Sequence, residues 1–169
     1  DKPNYLASVQ TLVGLTLAGN QNFSVDEQAR QNIKNWIRTE IGGNTLLSPD
    51  AHAFGLWGLT LDHSGEFNLT EDLIKNQKSV SATGLSHLLM AMKNQDWKEN
   101  YADIAGPLLS MAKQEPRHTS WPESAFFSSS ADKNTSLAAL ALLTAMSDTE
   151  VHPMIPRALA FLLNQKKAV

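Results

Sequence analysis

The stretch PDAHAFGLWGLTLDH (49–63) decides the fold, because as a helix it is apolar on nearly every side. Such a helix must be buried by its neighbours over most of its circumference. Ser48 and Pro49 mark its start, with a capping hydroxyl ahead of a proline whose missing N–H costs nothing at the first helical position. Three other nearly uncharged segments share this composition: 5–19, 80–92 and 135–146. We therefore predict four helices that pack together as an inner layer.

Amphipathic segments alternate with the uncharged ones. In 25–40, for example, Ala29, Ile33, Trp36 and Ile37 form one apolar stripe at helical spacing. The other amphipathic segments are 70–76, 96–113 and 153–168. This alternation predicts an all-α fold of helical hairpins, an α/α toroid with inner and outer helices. Four hairpins are too few for the usual six-hairpin toroid, so we expect an incomplete toroid in which 1–169 is one segment of a larger multidomain protein.

Smaller motifs predict where the helices begin and how closely they approach each other. Ser24 with Glu27, and Asp96 with Glu99, have the spacing of a capping box. The pair Gly106-Pro107 predicts a kink or break in the helix that follows Asp96. Glycine inside a helix costs up to ~1 kcal/mol against alanine, so glycines in the uncharged helices predict close packing of a neighbouring helix. These glycines are Gly14, Gly55, Gly58 and Gly84.

Composition excludes several classes of function. The formal net charge is −3, and the only basic pair is Lys166-Lys167 at the end of the last helix. Nucleic acid and direct membrane contact are therefore not expected, because both partners are bound by clustered Lys and Arg. The chain has no cysteine, which excludes thiolate chemistry and Cys-ligated zinc. No apolar run approaches the ~18 residues of a membrane-spanning helix.

Asp50, His52, Asp62 and His63 are the candidates for a metal site, but their spacing argues against one. The two histidines share a helical face and stand ~16 Å apart along the axis, which is too far to bind one ion together. Asp50 suits the first turn of a helix, where the dipole favours a carboxylate, and Asp62 and His63 suit a polar helix end. We predict structural roles for all four residues, with no metal and no cofactor.

His87 is a further candidate, since it lies beside Ser86 on an otherwise apolar inner helix. A lone histidine of this kind is either a hydrogen-bonded core residue or a base that lines a central cavity. An α/α-barrel enzyme of the glycosidase or cyclase type would have Asp50, His52 and His87 as its only catalytic groups. Such glycosidases need two carboxylates at the cavity mouth, and that pair is missing here. We predict a protein that is not an enzyme and has no catalytic residues.

The longest irregular stretch, 114–131, carries the aromatic residues Trp121, Phe126 and Phe127. If exposed, these side chains would form the contact surface of a helical-repeat binding scaffold. If buried, they would seal one end of the barrel. Both interpretations stay open.

The order of segments resembles the thioester-containing helical domain of the alpha-2-macroglobulin family, particularly its bacterial members. NYLASVQTLVGLTLAG (4–19) and FSVDEQARQNIKNWIRTE (23–40) are similar to an inner helix and the following amphipathic helix of that domain. The following segment is similar to the next inner helix of that domain, a glycine turn, a short outer helix and another inner helix. It reads LSPDAHAFGLWGLTLDHSGEFNLTEDLIKNQKSVSATGLSHLLMAM (47–92). SSSADKNTSLAALALLTAM (128–146) with PRALAFLLNQKKAV (156–169) resembles the penultimate hairpin. The resemblance spans nearly the whole chain and is one of pattern and order.

The resemblance implies a function. Bacterial members are periplasmic, often anchored as lipoproteins, and trap attacking proteases. It therefore implies a non-catalytic segment of a protease inhibitor, periplasmic, with any inner-membrane anchor in a part of the protein outside this sequence. The expected partners are proteases or other domains of the same protein. The family's thioester forms at a Cys-x-Glu-Gln motif, which this cysteine-free chain lacks, so a thioester either lies upstream or is absent from this branch. The stretch WIRTEIGG (36–43) contains no histidine to assist acyl transfer.

Overall fold

The computed structural model describes residues 3–145 and 153–165. The helices are α1 (Tyr5–Asn20), α2 (Glu27–Gly43), α3 (Pro49–Thr60), α4 (Phe67–Lys75), α5 (Ala82–Asn94), α6 (Tyr101–Ser110), α7 (Ala131–Ala145) and α8 (Met154–Gln165). Two short strands, β1 (Lys113–Gln114) and β2 (Thr119–Ser120), form an antiparallel pair, and 3₁₀ turns lie at Gln77–Ser79 and Phe126–Ser128. The prediction of an all-α class is confirmed over the described ranges. The basic pair Lys166-Lys167 lies outside the described residues.

The helices pack as a row of hairpins. The nearly uncharged helices α1, α3, α5 and α7 lie side by side in that order, and each packs against the amphipathic helix that follows it in sequence. The order of inner and outer helices is therefore the predicted one. In the described ranges, no helix combines the length and the apolar character needed to cross a bilayer.

Burial differs sharply between the middle and the ends of this row. Helices α3 and α5 are buried on almost every side, as predicted, and form most of the core with α7. The prediction that α1 and α7 are equally buried is wrong: Leu17 of α1 is 49% exposed, and Leu140 and Leu143 of α7 are 50% and 44% exposed. The reason is positional, since an end helix has an inner neighbour on only one side.

The predictions of helix capping are correct at the start of α3 and wrong at the starts of α2 and α6. The Ser48 side chain accepts a hydrogen bond from the Ala51 amide at 3.2 Å, with Pro49 at the first helical position, as predicted. The two capping boxes are wrong. Asp26 rather than Ser24 caps α2, and α6 begins at Tyr101, well after Asp96. Nor does the helix break at Gly106-Pro107, because α6 continues through Pro107 to Ser110.

A left-handed residue recurs in the turn that leads from an inner helix to its outer partner. Asn22, His63 and Asp96 have φ angles of 63°, 60° and 54°, two or three residues after α1, α3 and α5 end. In the first and third of these turns the next amide donates to the carbonyl five residues back at 3.0 Å, which is the pattern of a Schellman motif. Three successive hairpins therefore each use a left-handed residue in the turn, and the first and third of them also share the Schellman hydrogen bond.

Two glycines mark the close approach of neighbouring inner helices. A Cβ atom at Gly55 would lie 1.9 Å from the hydroxyl oxygen of Tyr5, and one at Gly84 would lie 2.2 Å from Oδ1 of Asp50. Gly58 has a similar role at 3.2 Å from Val9. These contacts confirm the predicted packing. The prediction fails at Gly14, where no atom lies within 4 Å of a Cβ, because it is on the exposed side of α1.

Candidate functional site

Asp50 links the starts of two inner helices. Its Oδ1 atom accepts a hydrogen bond from the backbone amide of Ser81 at 2.9 Å, immediately before α5 begins. The missing side chain at Gly84 leaves room for this carboxylate. Asp50 therefore helps to satisfy the free amides at the start of α5, a structural role that agrees with the prediction for this residue.

His52 lies on another side of α3, in a cleft between α2, α3 and α4. The cleft has a volume of about 390 Å³ and is also lined by Leu56, Leu69 and Asp72. Burial lowers the pKa of His52, an effect that a hydrogen bond to the Asn44 backbone partly opposes, so the ring is neutral at pH 7. Its Nε2 atom is buried and has no hydrogen-bond partner among the described residues.

Asp62 is held in an ion pair between α2 and the end of α3. The Lys34 ammonium lies 2.6 Å from Asp62 Oδ2 and also donates to the Ser64 hydroxyl at 3.1 Å. Burial raises the pKa of Asp62, but the hydrogen bonds from Lys34 and Ser64 outweigh it and bring the pKa below its usual value. Lys34 is only 5% exposed, a position that the sequence analysis did not assign to a charged contact.

His63 lies in the left-handed turn after α3 and points toward α5. Its Nδ1 atom lies 3.0 Å from the Asn94 carbonyl, and since a carbonyl only accepts, Nδ1 carries the proton. The four residues proposed as metal candidates thus have four separate sets of partners. Across residues 3–145 and 153–165, no three His, Asp or Glu side chains converge closely enough to hold an ion.

His87 is buried among aromatic rings on the inner side of α5. Its ring centre lies 5.1 Å from that of Phe54 and 5.3 Å from that of Trp57, both on α3. Burial lowers its pKa to about 4, and its Nδ1 atom has no hydrogen-bond partner among the described residues. Ser86 does not face it as a partner, because the Ser86 hydroxyl donates to the Ala82 carbonyl at 2.7 Å. A hydrogen bond to the Thr83 backbone partly opposes this lowering of the pKa, so His87 is a neutral core residue.

The three aromatic residues of the irregular segment after β2 differ in exposure. Trp121 is fully buried, and its indole N–H donates to the Leu108 carbonyl at 2.7 Å. Phe126 and Phe127 pack on Phe54, with ring centres 6.2 and 5.1 Å away. Phe127 stays 41% exposed. The segment covers the inner helices, so Trp121 is not available to a scaffold's contact surface.

Another concave feature of the described residues is one that we call the α3–α5–α7 pocket. It has a volume of about 500 Å³, and its walls come from the ends of three inner helices and the turn after α3. The surface that lines it is mainly apolar, although polar side chains also contribute to it. The lining residues are Trp57, His63, Met90, Lys93, Asn94, Leu143 and Thr144. Of these residues the sequence analysis had singled out only His63 and, as a packing residue, Trp57.

The chain was also compared with known protein families, proteins and structures. No protein-family model, no curated protein and no solved structure matches the chain.

Proposed function

We propose that this chain is a non-catalytic segment of the α/α toroid of a bacterial alpha-2-macroglobulin-like protein, acting in the periplasm in the trapping of proteases. The observation that supports this proposal most is the row of hairpins with exposed apolar ends. A row that buries α3 and α5 on almost every side, yet leaves leucines of α1 and α7 half exposed, fits an array that continues with further hairpins.

The last hairpin carries the larger share of this exposed surface. Leu140 and Leu143 of α7 are joined by Leu159 and Leu163 of α8, which are 51% and 62% exposed. Leucines at this density on both helices of one hairpin are typical of a surface covered by protein. In the proposed toroid, the next hairpin covers Leu140, Leu159 and Leu163.

The alternative of an α/α-barrel enzyme gains no support from the geometry. It requires Asp50, His52 and His87 to face one cavity. Instead, Asp50 bonds to the start of α5, His52 lies in the cleft beside α4, and His87 lies between the rings of α3. We therefore do not propose a reaction for this chain.

Protease trapping can be tested with the full-length protein that contains this chain. The protein is incubated with trypsin, and activity is then measured on a small chromogenic peptide and on a large protein substrate. Trapping predicts that the small substrate is still cleaved while the large one is protected. If both substrates are cleaved as by free trypsin, the proposed function is wrong.

The part played by the last hairpin is tested with a charge at its exposed surface. We expect Leu159→Lys to weaken the packing of the next hairpin and reduce the protection of the large substrate. The matched control is Leu46→Lys, because Leu46 is 93% exposed in the loop before α3 and lies away from this hairpin. Equal protection by both variants would contradict the assignment of this surface.

A further inference from the structure

The surface of the α3–α5–α7 pocket is mainly apolar. Trp57, Met90 and Leu143 contribute to it from three different helices, and Leu143 is 44% exposed. The volume of about 500 Å³ lies within the range of about 300–1,000 Å³ that is usual for small-molecule sites. The pocket therefore has the size and lining to bury the hydrocarbon part of a small ligand.

Lys93 brings a positive charge to the lining of the pocket. Lys93, in the last turn of α5, is half buried and makes no ion pair with any residue of the described ranges. None of the described residues that line the pocket has a carboxylate. The adjacent Asn94 carbonyl is already occupied by the N–H of His63. The described lining thus combines a positive charge with a mainly apolar surface.

We propose that this pocket binds a medium-chain free fatty acid, with the hydrocarbon chain on Trp57, Met90 and Leu143 and the carboxylate on the Lys93 ammonium. A cationic amphiphile would place its charge against Lys93 and is disfavoured. A neutral alcohol of the same length would keep the apolar contact and lose the ion pair. This binding site is independent of protease trapping, since it depends only on contacts within three inner helices.

The direct test is titration of the full chain with decanoate, followed by calorimetry at a decanoate concentration below micelle formation. We expect one saturable site, with decanol weaker and decylammonium weaker still. Lys93→Gln is expected to weaken decanoate binding about tenfold, because hydrogen bonds to charged groups contribute enough for such a change. Lys93→Arg keeps the charge and is expected to keep most of the affinity.

Matched variants separate the pocket from general surface effects. Leu143→Glu places a carboxylate beside the proposed ligand and should reduce binding at least tenfold, whereas Leu140→Glu, on the same helix and 50% exposed, should not. Lys78→Gln, at an exposed lysine away from the pocket, is the control for Lys93→Gln. Thermal melting confirms that each variant is folded. The proposal is overturned by absence of saturable binding, by equal affinity for decanoate and decylammonium, or by unchanged affinity in Lys93→Gln.

Discussion

Replacing His87 by leucine should remove much of the acid sensitivity of this fold. The imidazole is 6% exposed, lies between the rings of Phe54 and Trp57, and has no partner for Nδ1 among the described residues. Protonating it in the folded state places a charge in an apolar environment. Leucine has a similar size and no titratable group, so His87→Leu keeps the packing and removes the proton-binding site.

The size of the effect follows from the two pKa values. Burial lowers the pKa of His87 from 6.5 to about 4 in the folded state. Because the folded-state pKa is the lower one, the stability contribution is complete above pH 6.5 and is lost as the pH falls toward 4. Between pH 7.5 and pH 5.0 this loss amounts to ~2 kcal/mol, with a limit of ~3 kcal/mol at lower pH.

The assay is urea unfolding followed by circular dichroism at pH 7.5, 6.0 and 5.0, at constant ionic strength. The free energy of unfolding should fall by ~2 kcal/mol less in His87→Leu than in the parent chain over this range. His63→Asn is the control, because His63 is exposed and asparagine tolerates its φ of 60°. Parallel pH profiles for the parent chain and His87→Leu would refute the reasoning.

Four further substitutions test packing, turn geometry and one buried hydrogen bond by chemical denaturation. Gly55→Ala should destabilise by about 1–3 kcal/mol, because its Cβ would meet the Tyr5 hydroxyl, whereas Gly14→Ala should stabilise by up to ~1 kcal/mol since no atom lies nearby; similar effects at both positions would contradict this. Asp96→Gly should stabilise by about 0.5–1 kcal/mol by relieving its left-handed conformation, and a loss of stability would count against it. Trp121→Phe should cost about 1–3 kcal/mol by leaving a buried carbonyl unpaired; an unchanged urea midpoint would argue that this hydrogen bond is unimportant.

The order of helices could be predicted from the sequence because an uncharged, apolar helix has few alternatives to burial against other helices. The segments around Trp57 and His87 contain almost no charge, and α3 and α5 are accordingly the most buried helices. The same composition misled at α1, where Leu17 is half exposed. Composition indicates how much of a helix surface is apolar. How much of that surface is buried depends on the number of neighbouring helices, and therefore on the position of the helix in the row.

The contacts of the candidate residues were much less predictable. Lys34 has the sequence neighbours of an ordinary solvent-facing lysine, yet it pairs with Asp62, twenty-eight positions later in the chain. Asp50 was assigned to the first turn of its own helix, whereas its carboxylate bonds to Ser81. Such pairs depend on the relative positions of two hairpins, which a helical period in one segment does not specify. The spacing of apolar residues in this helix also did not predict that Lys93 lines a pocket.

The row arrangement has a consequence for how the chain unfolds. Each inner helix makes its main contacts with the next inner helix and with its own outer partner, so interactions propagate along one dimension. The α3–α5 contact is the most extensive in the molecule, whereas α1 packs only on α2 and α3 among its main neighbours. Opening should therefore start at the α1–α2 end and reach α5 last, with amide exchange slowest in α5. Stability in this fold is a gradient along the row, highest where a helix has neighbours on both sides.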